Sequence, residues 1–336
     1  MKKFIVKLTV FLLVLFFLQF LLNWYLLKID DHRLDNYGYR FEEFTRLNKY
    51  LREKRDVIYF GDSTVYMTGE GDSDKRKMWR MLSDGLKPAY SLGNITHAAY
   101  HMDLYLEFCR YIVRGKTHPR VIIIPINMRS FSPEFDMRPQ YQFEKEKIVL
   151  RGGISRLLLL AFYKLLRAFN YDFSTVSREE FINAPVYDGT EKVGVVSDFN
   201  NKRYFNFSEK KLKNIITFFY MYTLDRGHRK LKSLRETAAV LAKHNIHAVF
   251  YTTPIDYLTC EKYFPARFTE RLKSNTELIR SVLAENGAEL LDLSTGLSSD
   301  GFTWRVYPNE YLNEKGRRFV TENLRRRILK LISPSG

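Results

Sequence analysis

Asp56-Val57-Ile58-Tyr59-Phe60-Gly61-Asp62-Ser63-Thr64-Val65-Tyr66 is a short apolar, β-prone run that ends in Gly-Asp-Ser. Continuous apolar runs of this length are typical of buried parallel strands, and a glycine lets the backbone turn sharply. Ser63 therefore falls at the carboxyl end of a strand, where open α/β sheets bind their ligands. Two interpretations fit. Ser63 is a nucleophile if a neighbouring base takes its proton, or Asp62 and Ser63 cap the next helix.

Four further apolar runs continue an alternation of strands with helices along the chain. Gly93-Asn94 closes the second run, and the loop that contains Asn127 follows the third. This alternation predicts an α/β fold, with an open parallel sheet of about five strands and helices on both faces. The strands predicted after the first are 88–92, 121–125, 246–251 and 288–292.

The stretch 134–207 interrupts this alternation. It contains an apolar helix over 154–169 and a polar, aromatic region with Gly and Asn residues. We interpret the stretch as an insertion that roofs or flanks the domain. The leucines at 157–160 fit either an ordinary core or a contact with a membrane or a partner.

The N-terminal residues 4–27 are nearly all apolar and follow Met1-Lys2-Lys3. A helix of this length crosses a bilayer, which needs about 20 residues, and no small-residue cleavage site follows. We therefore expect an uncleaved transmembrane anchor over 1–28, then a stalk and a helix over 29–55, and the α/β domain over 56–333. Lys2, Lys3 and Lys7 predict a cytoplasmic N-terminus, which would leave the domain outside the cytoplasm.

Charge and cysteine content narrow the classes of partner. The 336 residues include 54 Lys+Arg and 38 Asp+Glu, for a formal net charge of +16. This excess favours anionic partners such as lipid headgroups or acidic polymers. Neither a zinc-finger spacing nor an RNA-binding strand motif is present, so we predict no nucleic-acid partner. Cys109 and Cys260 either form one bridge or remain two buried thiols.

In order along the chain, four blocks resemble those of the SGNH/GDSL hydrolase superfamily, from about Asp56 to the C-terminus. Gly61-Asp62-Ser63 is similar to the first block, with Ser63 in the nucleophile position. Gly93 and Asn127 match the second and third blocks, whose glycine N–H and asparagine side chain bind the oxyanion together with the N–H of the serine. The segment 309–316 is similar to the last block. The resemblance implies a flavodoxin-like sheet, ester hydrolysis or acyl transfer, and no cofactor.

The last block departs from the pattern of that family. Tyr311 stands where the family has its catalytic histidine, and Pro308 stands where it has an aspartate. Serine is a poor nucleophile without a base, and a phenol, which titrates at about 10, is a weak substitute for imidazole at neutral pH. In other serine enzymes, the oxyanion donors still accelerate the reaction to some extent when the catalytic base is lost.

His97 is the candidate for a replacement base. His97 and His101 lie four residues apart, and a helix that begins near His97 would direct both rings to the carboxyl edge of the sheet. The same spacing suits a metal if Asp103 joins it. Two ordinary histidines on a helix surface are the simpler interpretation, and we predict no metal.

Two functions follow from these observations. In the first, the chain is a membrane-anchored extracytoplasmic serine esterase or O-acyltransferase for acyl esters, and the resemblance together with the anchor implies cell-envelope carbohydrate as the substrate. In the second, it is a catalytically degenerate homologue that binds or assembles components of envelope polysaccharide modification, including membrane-bound proteins. An imidazole within about 3.5 Å of the Ser63 hydroxyl would favour the first. A contact of Ser63 with Tyr311, and no imidazole in reach, would favour the second.

Overall fold

The structure is a computed structural model that describes residues 2–26, 39–199, 208–303 and 309–332, with only the backbone described at residues 19, 20 and 22–26. A five-stranded parallel sheet lies at its centre, and a two-stranded antiparallel sheet lies in the insertion. The strands are β1 (Val57–Gly61), β2 (Leu92–Thr96), β3 (Val121–Ile126), β4 (Pro185–Asp188), β5 (Glu191–Val195), β6 (His247–Thr252) and β7 (Leu290–Leu291).

The central sheet has the order β2-β1-β3-β6-β7, and each neighbouring pair is parallel. Counted within this sheet alone, the order is 2-1-3-4-5, which is the order of flavodoxin-like sheets. The predicted α/β fold with a parallel sheet of about five strands is therefore confirmed.

Helices cover both faces of this sheet. The α-helices of the described residues are α1 (Lys2–Leu26), α2 (Glu42–Arg52), α3 (Ser63–Tyr66), α4 (Met78–Leu86), α5 (Met102–Val113), α6 (Pro133–Met137), α7 (Glu144–Arg151), α8 (Gly153–Ala168), α9 (Arg178–Ile182), α10 (Val196–Phe199), α11 (Glu209–Tyr220), α12 (Arg229–Lys243), α13 (Tyr257–Tyr263), α14 (Arg267–Ala284) and α15 (Glu314–Ile332). Residues of α2, α5, α12 and α14 pack in one core cluster, and residues of α4 and α15 pack in another.

Strand β3 shows why the central strands are apolar at every position. Ile122 and Ile124 belong to the first cluster, whereas Val121 and Ile123 belong to the second. Successive side chains of a strand point to opposite faces of the sheet. Since helices cover both faces, each position of the strand is buried and apolar.

Strand β2 differs from its predicted position. It covers Leu92–Thr96 rather than 88–92, so the prediction that Gly93 follows the strand is wrong. Gly93 pairs with Ile58 inside the sheet, and a Cβ there would lie 2.5 Å from the Tyr50 ring. The close approach of α2 therefore accounts for a glycine at this position.

The histidines that follow β2 also differ from the prediction. Helix α5 begins at Met102 rather than near residue 98, and His101 has an extended backbone at its N-cap. His97 and His101 therefore do not share a helical face.

The N-terminal residues form a helix, α1, whose described apolar side chains are exposed. Within the described residues, no helix combines the length and the apolar content needed to cross a bilayer. The transmembrane anchor over 1–28 stays a prediction. The first part of the predicted stalk, up to residue 38, lies outside the described residues, and α2 lies within the predicted helix that follows it.

The sequence predicts an insertion over 134–207. Its described part holds α6 to α10 and the hairpin of β4 and β5. It has a small core of its own, formed with α11 by Phe181, Ala184, Val186, Val196 and Phe218. The domain limits remain predictions. Cys109 and Cys260 are free and buried, so the interpretation as two thiols is confirmed.

Gly93→Ala is expected to lower the free energy of unfolding by about 1–3 kcal/mol, the usual effect of an extra methyl in a packed site. Urea unfolding measures the change. Gly71→Ala is the matched control, because a Cβ at Gly71 has no heavy atom within 4 Å. In a Tyr50→Leu background the effect of Gly93→Ala should shrink, and an unchanged effect would contradict the packing explanation.

Candidate functional site

The candidate site lies where the order of the strands reverses. From β1 the chain proceeds to β2 on one side and then to β3 on the other. In open α/β sheets, this reversal leaves a crevice outside the carboxyl ends of the two strands. Asp62 directly follows β1 at this edge and precedes Ser63, and Asn127 directly follows β3.

The Asp62 carboxylate links the ends of these two strands. Its Oδ1 accepts hydrogen bonds from the backbone N–H of Thr64 at 2.8 Å and from the Thr64 hydroxyl at 2.6 Å. Its Oδ2 accepts a third hydrogen bond from Nδ2 of Asn127 at 2.9 Å. Asp62 is thus the N-cap of α3, as one interpretation of the sequence proposed. Ser63 is the first residue of that helix and is only partly buried.

Gly61 is required by the tight turn at the end of β1. A Cβ at Gly61 would lie 2.6 Å from Cγ2 of Val65 and 3.0 Å from Cγ2 of Thr96. The Gly61 carbonyl also accepts a hydrogen bond from the backbone N–H of His97 at 3.1 Å. Close packing therefore accounts for Gly61, and capping of α3 accounts for Asp62, in the Gly-Asp-Ser sequence.

The Ser63 hydroxyl contacts the phenol that replaces the expected imidazole. Oγ of Ser63 lies 3.2 Å from the hydroxyl oxygen of Tyr311, and either oxygen is able to donate. Both side chains are partly buried. Tyr311 is held by its backbone, because its N–H donates to Oδ1 of Asn309 at 2.8 Å and its carbonyl accepts from the N–H of Thr303 at 2.8 Å. Pro308 lies outside the described residues.

A buried ion pair lies beside Tyr311. Nε of Arg129 donates to Oε2 of Glu310 at 2.7 Å, and the guanidinium carbon lies 5.3 Å from the centre of the Tyr311 ring. Glu310 is fully buried and Arg129 is nearly so. Oε1 of Glu310 is buried without a hydrogen-bond partner among the described residues.

Burial raises the pKa of Glu310 to about 7, although Arg129 acts in the opposite direction. The negative charge of Asp62 raises it further. The pKa of Arg129 is held well above its ordinary value: burial lowers it, but Glu310, Asp62 and two nearby tyrosines together outweigh burial. Near neutral pH, Glu310 is therefore protonated in part of the molecules and ionised in the others, whereas Arg129 remains charged.

Asn127 occupies the predicted edge and keeps a donor for a ligand. Its Oδ1 accepts from the backbone N–H of Arg129 at 3.0 Å, and one proton of its Nδ2 goes to Asp62. These two contacts fix the orientation of the amide. A side-chain amide has two N–H donors, so the second proton of Nδ2 is the one that would meet an oxyanion.

The two histidines after β2 have other partners than Ser63. Nδ1 of His97 lies 3.0 Å from the carbonyl of Ala98, and its ring is exposed. His101 is fully buried, with Nε2 2.7 Å from the carbonyl of Tyr141. In the described parts of the chain, no hydrogen bond joins an imidazole to Ser63. His97 as a replacement base therefore has no supporting contact.

Two features of the site were not predicted from the sequence. The Arg129–Glu310 pair was not foreseen, although Glu310 directly precedes Tyr311. The loop that follows β2 was also placed too early along the chain. In the structure, exposed Ala98 rather than Gly93 lies beyond the carboxyl end of β2, and Ala99 has a positive φ of 61°. The one available signal was Thr96, a β-branched residue typical of strands.

The comparisons with known proteins add little to this geometry. A scan against models of protein families finds no match, and a search of curated proteins finds none either. Among solved structures, the chain is similar to the crystal structure of LAE5, described as an alpha/beta hydrolase enzyme from the metagenome of Lake Arreo, Spain. The two chains are 14% identical, and the match covers 82% of this chain and 94% of that one with a TM-score of 0.37. A likeness this distant carries no argument about the site.

Glu310→Gln is expected to remove a pH dependence of stability. The folded carboxyl titrates at about 7, above its ordinary 4.5, so the folded chain keeps a proton that the unfolded chain has released. The wild-type free energy of unfolding should therefore fall relative to the variant as pH rises from 4.5 to 7. The fall should be about 3 kcal/mol, since one pKa unit is about 1.4 kcal/mol.

Urea unfolding of both chains at closely spaced pH values measures this difference. Glu314→Gln is the control, because the pKa of partly exposed Glu314 is lowered by its hydrogen bonds, and so its effect should have the opposite sign. A wild-type advantage over Glu310→Gln that grows with pH would show that attraction to Arg129 outweighs burial.

Proposed function

We propose that the chain is a catalytically degenerate SGNH/GDSL-like protein that binds acyl esters of cell-envelope carbohydrate without hydrolysing them. The hydrogen bond between Ser63 and Tyr311 carries this proposal. A phenol is a weak proton acceptor at neutral pH, so a serine next to it stays a neutral hydroxyl. Such a pair suits the recognition of a neutral ligand.

The polar groups at the edge of the sheet support binding of a carbonyl. Asn127 offers the second proton of its amide, and Ser63 and Tyr311 each offer a hydroxyl. A neutral ester oxygen accepts hydrogen bonds of this kind. Acyl carbohydrate as the ligand class comes from the resemblance of Gly61-Asp62-Ser63 and Asn127 to the hydrolase blocks, and the structure gives these residues neighbouring positions.

Attachment to a membrane, with the α/β domain outside the cytoplasm, is the second part of the proposal. It is supported by the exposed apolar side chains of α1 and by Lys2, Lys3 and Lys7 at the start of that helix. Membrane-bound proteins of envelope modification would then be the partners.

One contact favours an enzyme as the second candidate. The guanidinium carbon of Arg129 lies 5.3 Å from the Tyr311 ring, so a positive charge lies beside the phenol that contacts Ser63. In this candidate, Tyr311 would accept the proton of Ser63 as the serine attacks an acyl carbonyl. The chain would then be a serine esterase or O-acyltransferase.

Labelling with a fluorophosphonate separates the two functions. The purified chain should not be labelled, because the hydrogen-bond partner of Ser63 among the described residues is a phenol, which is a weak proton acceptor at neutral pH. Gel fluorescence or intact mass measures the adduct. Ser63→Ala controls for reaction at other residues, and a catalytic serine esterase serves as the positive control.

Tyr311→Phe distinguishes the outcomes. Labelling of the wild type that disappears in both Ser63→Ala and Tyr311→Phe would overturn the binding proposal and support the enzyme. Tyr311→His tests whether this one side chain separates the binding protein from an enzyme. Labelling of Tyr311→His, together with no labelling of the wild type, would agree with a degenerate site.

A further inference from the structure

Helix α8 is apolar on two faces, although only one of them contacts the domain. Leu159 and Leu160 are buried, and the ring of Tyr163 lies 4.9 Å from that of Tyr39. Arg156 stacks on this inner side, with its guanidinium carbon 5.1 Å from the Phe44 ring.

The outer face carries a second apolar stripe that the described residues leave uncovered. Its large side chains and their exposed fractions are Ile154 49%, Leu158 54%, Phe162 50%, Leu165 54% and Phe169 77%. These positions are separated by four, four, three and four residues, which is the spacing of one face of an α-helix. Contiguous exposed apolar patches on this scale mark interaction surfaces.

The charges around this stripe are all of one sign. Helix α8 has the exposed basic residues Lys164 and Arg167 and no acidic residue between Gly153 and Ala168. A helix with an apolar face, basic neighbours and no acidic side chain is typical of segments that lie on an anionic membrane surface.

A second exposed apolar helix adjoins the first. Helix α1 packs against α8, and its large apolar side chains from Phe4 to Leu18 are exposed as well. The apolar stripe of α8 and the surface of α1 therefore belong to one side of the molecule.

We propose that α8 lies in the plane of a membrane interface, with its outer face among the lipids and Lys164 and Arg167 at anionic headgroups. This inference rests on the proposed membrane attachment and adds a second contact that sets the distance of the domain from the bilayer. It is independent of whether Ser63 reacts. A second copy of the chain fits less well, because its own basic residues would then meet Lys164 and Arg167.

The experiment places a fluorescent probe on the outer face of α8 in the full chain. Phe162→Cys is labelled with an environment-sensitive dye, which is selective because Cys109 and Cys260 are fully buried. Leu258→Cys, at an exposed leucine of α13, is the matched control. Both are added to vesicles of phosphatidylcholine, with or without phosphatidylglycerol, that carry a nitroxide near the headgroup or near the bilayer centre.

The dye at 162 should shift to shorter wavelength and be quenched by lipid nitroxide, whereas the dye at 258 should show neither effect. Interfacial helices lie about 5–10 Å below the headgroups, so the shallow nitroxide should quench more than the deep one. Phosphatidylglycerol should increase the quenching, and Lys164→Gln with Arg167→Gln should remove that increase.

Three outcomes would overturn the proposal. In the first, the dye at 162 is not quenched in any vesicle. In the second, the dyes at 162 and 258 are quenched equally. In the third, the dye at 162 shifts with rising protein concentration and without quenching, which would indicate a contact between copies. Fluorophosphonate labelling is read separately, so failure of this proposal leaves the proposed binding function intact.

Discussion

The Asp62 carboxylate is the group on which the candidate site depends. It accepts three hydrogen bonds, two from Thr64 and one from Asn127, and so joins the end of β1 to the end of β3. Hydrogen bonds to a charged group contribute about 1.5–3 kcal/mol each. Because Asp62 is occupied in this way, it acts as a cap and a brace. Ser63 is left facing the crevice, where its partner comes from the distant loop before α15.

That loop decides the chemistry at Ser63. Tyr311 brings a phenol to 3.2 Å from the serine hydroxyl, and the Arg129–Glu310 pair packs beside it. The loop is fixed from the other side by Arg317, which is fully buried and pairs with Asp72 at 2.6 Å. A site with hydroxyls, an amide and a fixed ion pair recognises polar ligands well, whereas acyl transfer needs a group that removes the serine proton.

Much of the fold follows from local patterns, because strands buried on both faces are continuous apolar runs, as in 57–61 and 121–126. The second strand was misplaced because Gly93 and Asn94 look like loop residues. In the structure, the Asn94 side chain is satisfied by Thr96 and Tyr50, and Gly93 admits the Tyr50 ring. Ser63 and Asn127 were predicted to meet because parallel strands end at one edge, whereas Tyr311 was assigned to the site by the resemblance of its segment to the last hydrolase block. The Arg129–Glu310 pair was unforeseen, because residues so far apart in the chain are matched only by folding.

The central claim is that the site binds an acyl ester and leaves it intact. The most direct test follows an O-acetylated oligosaccharide by NMR in one tube with the full chain, so that saturation transfer reports binding and the free acetate signal reports hydrolysis. The account predicts saturation transfer to the acetyl group, weakened in an Asn127→Ala variant, with no acetate above the level of a protein-free sample. Acetate that accumulates with the wild type and not with Ser63→Ala would contradict the claim.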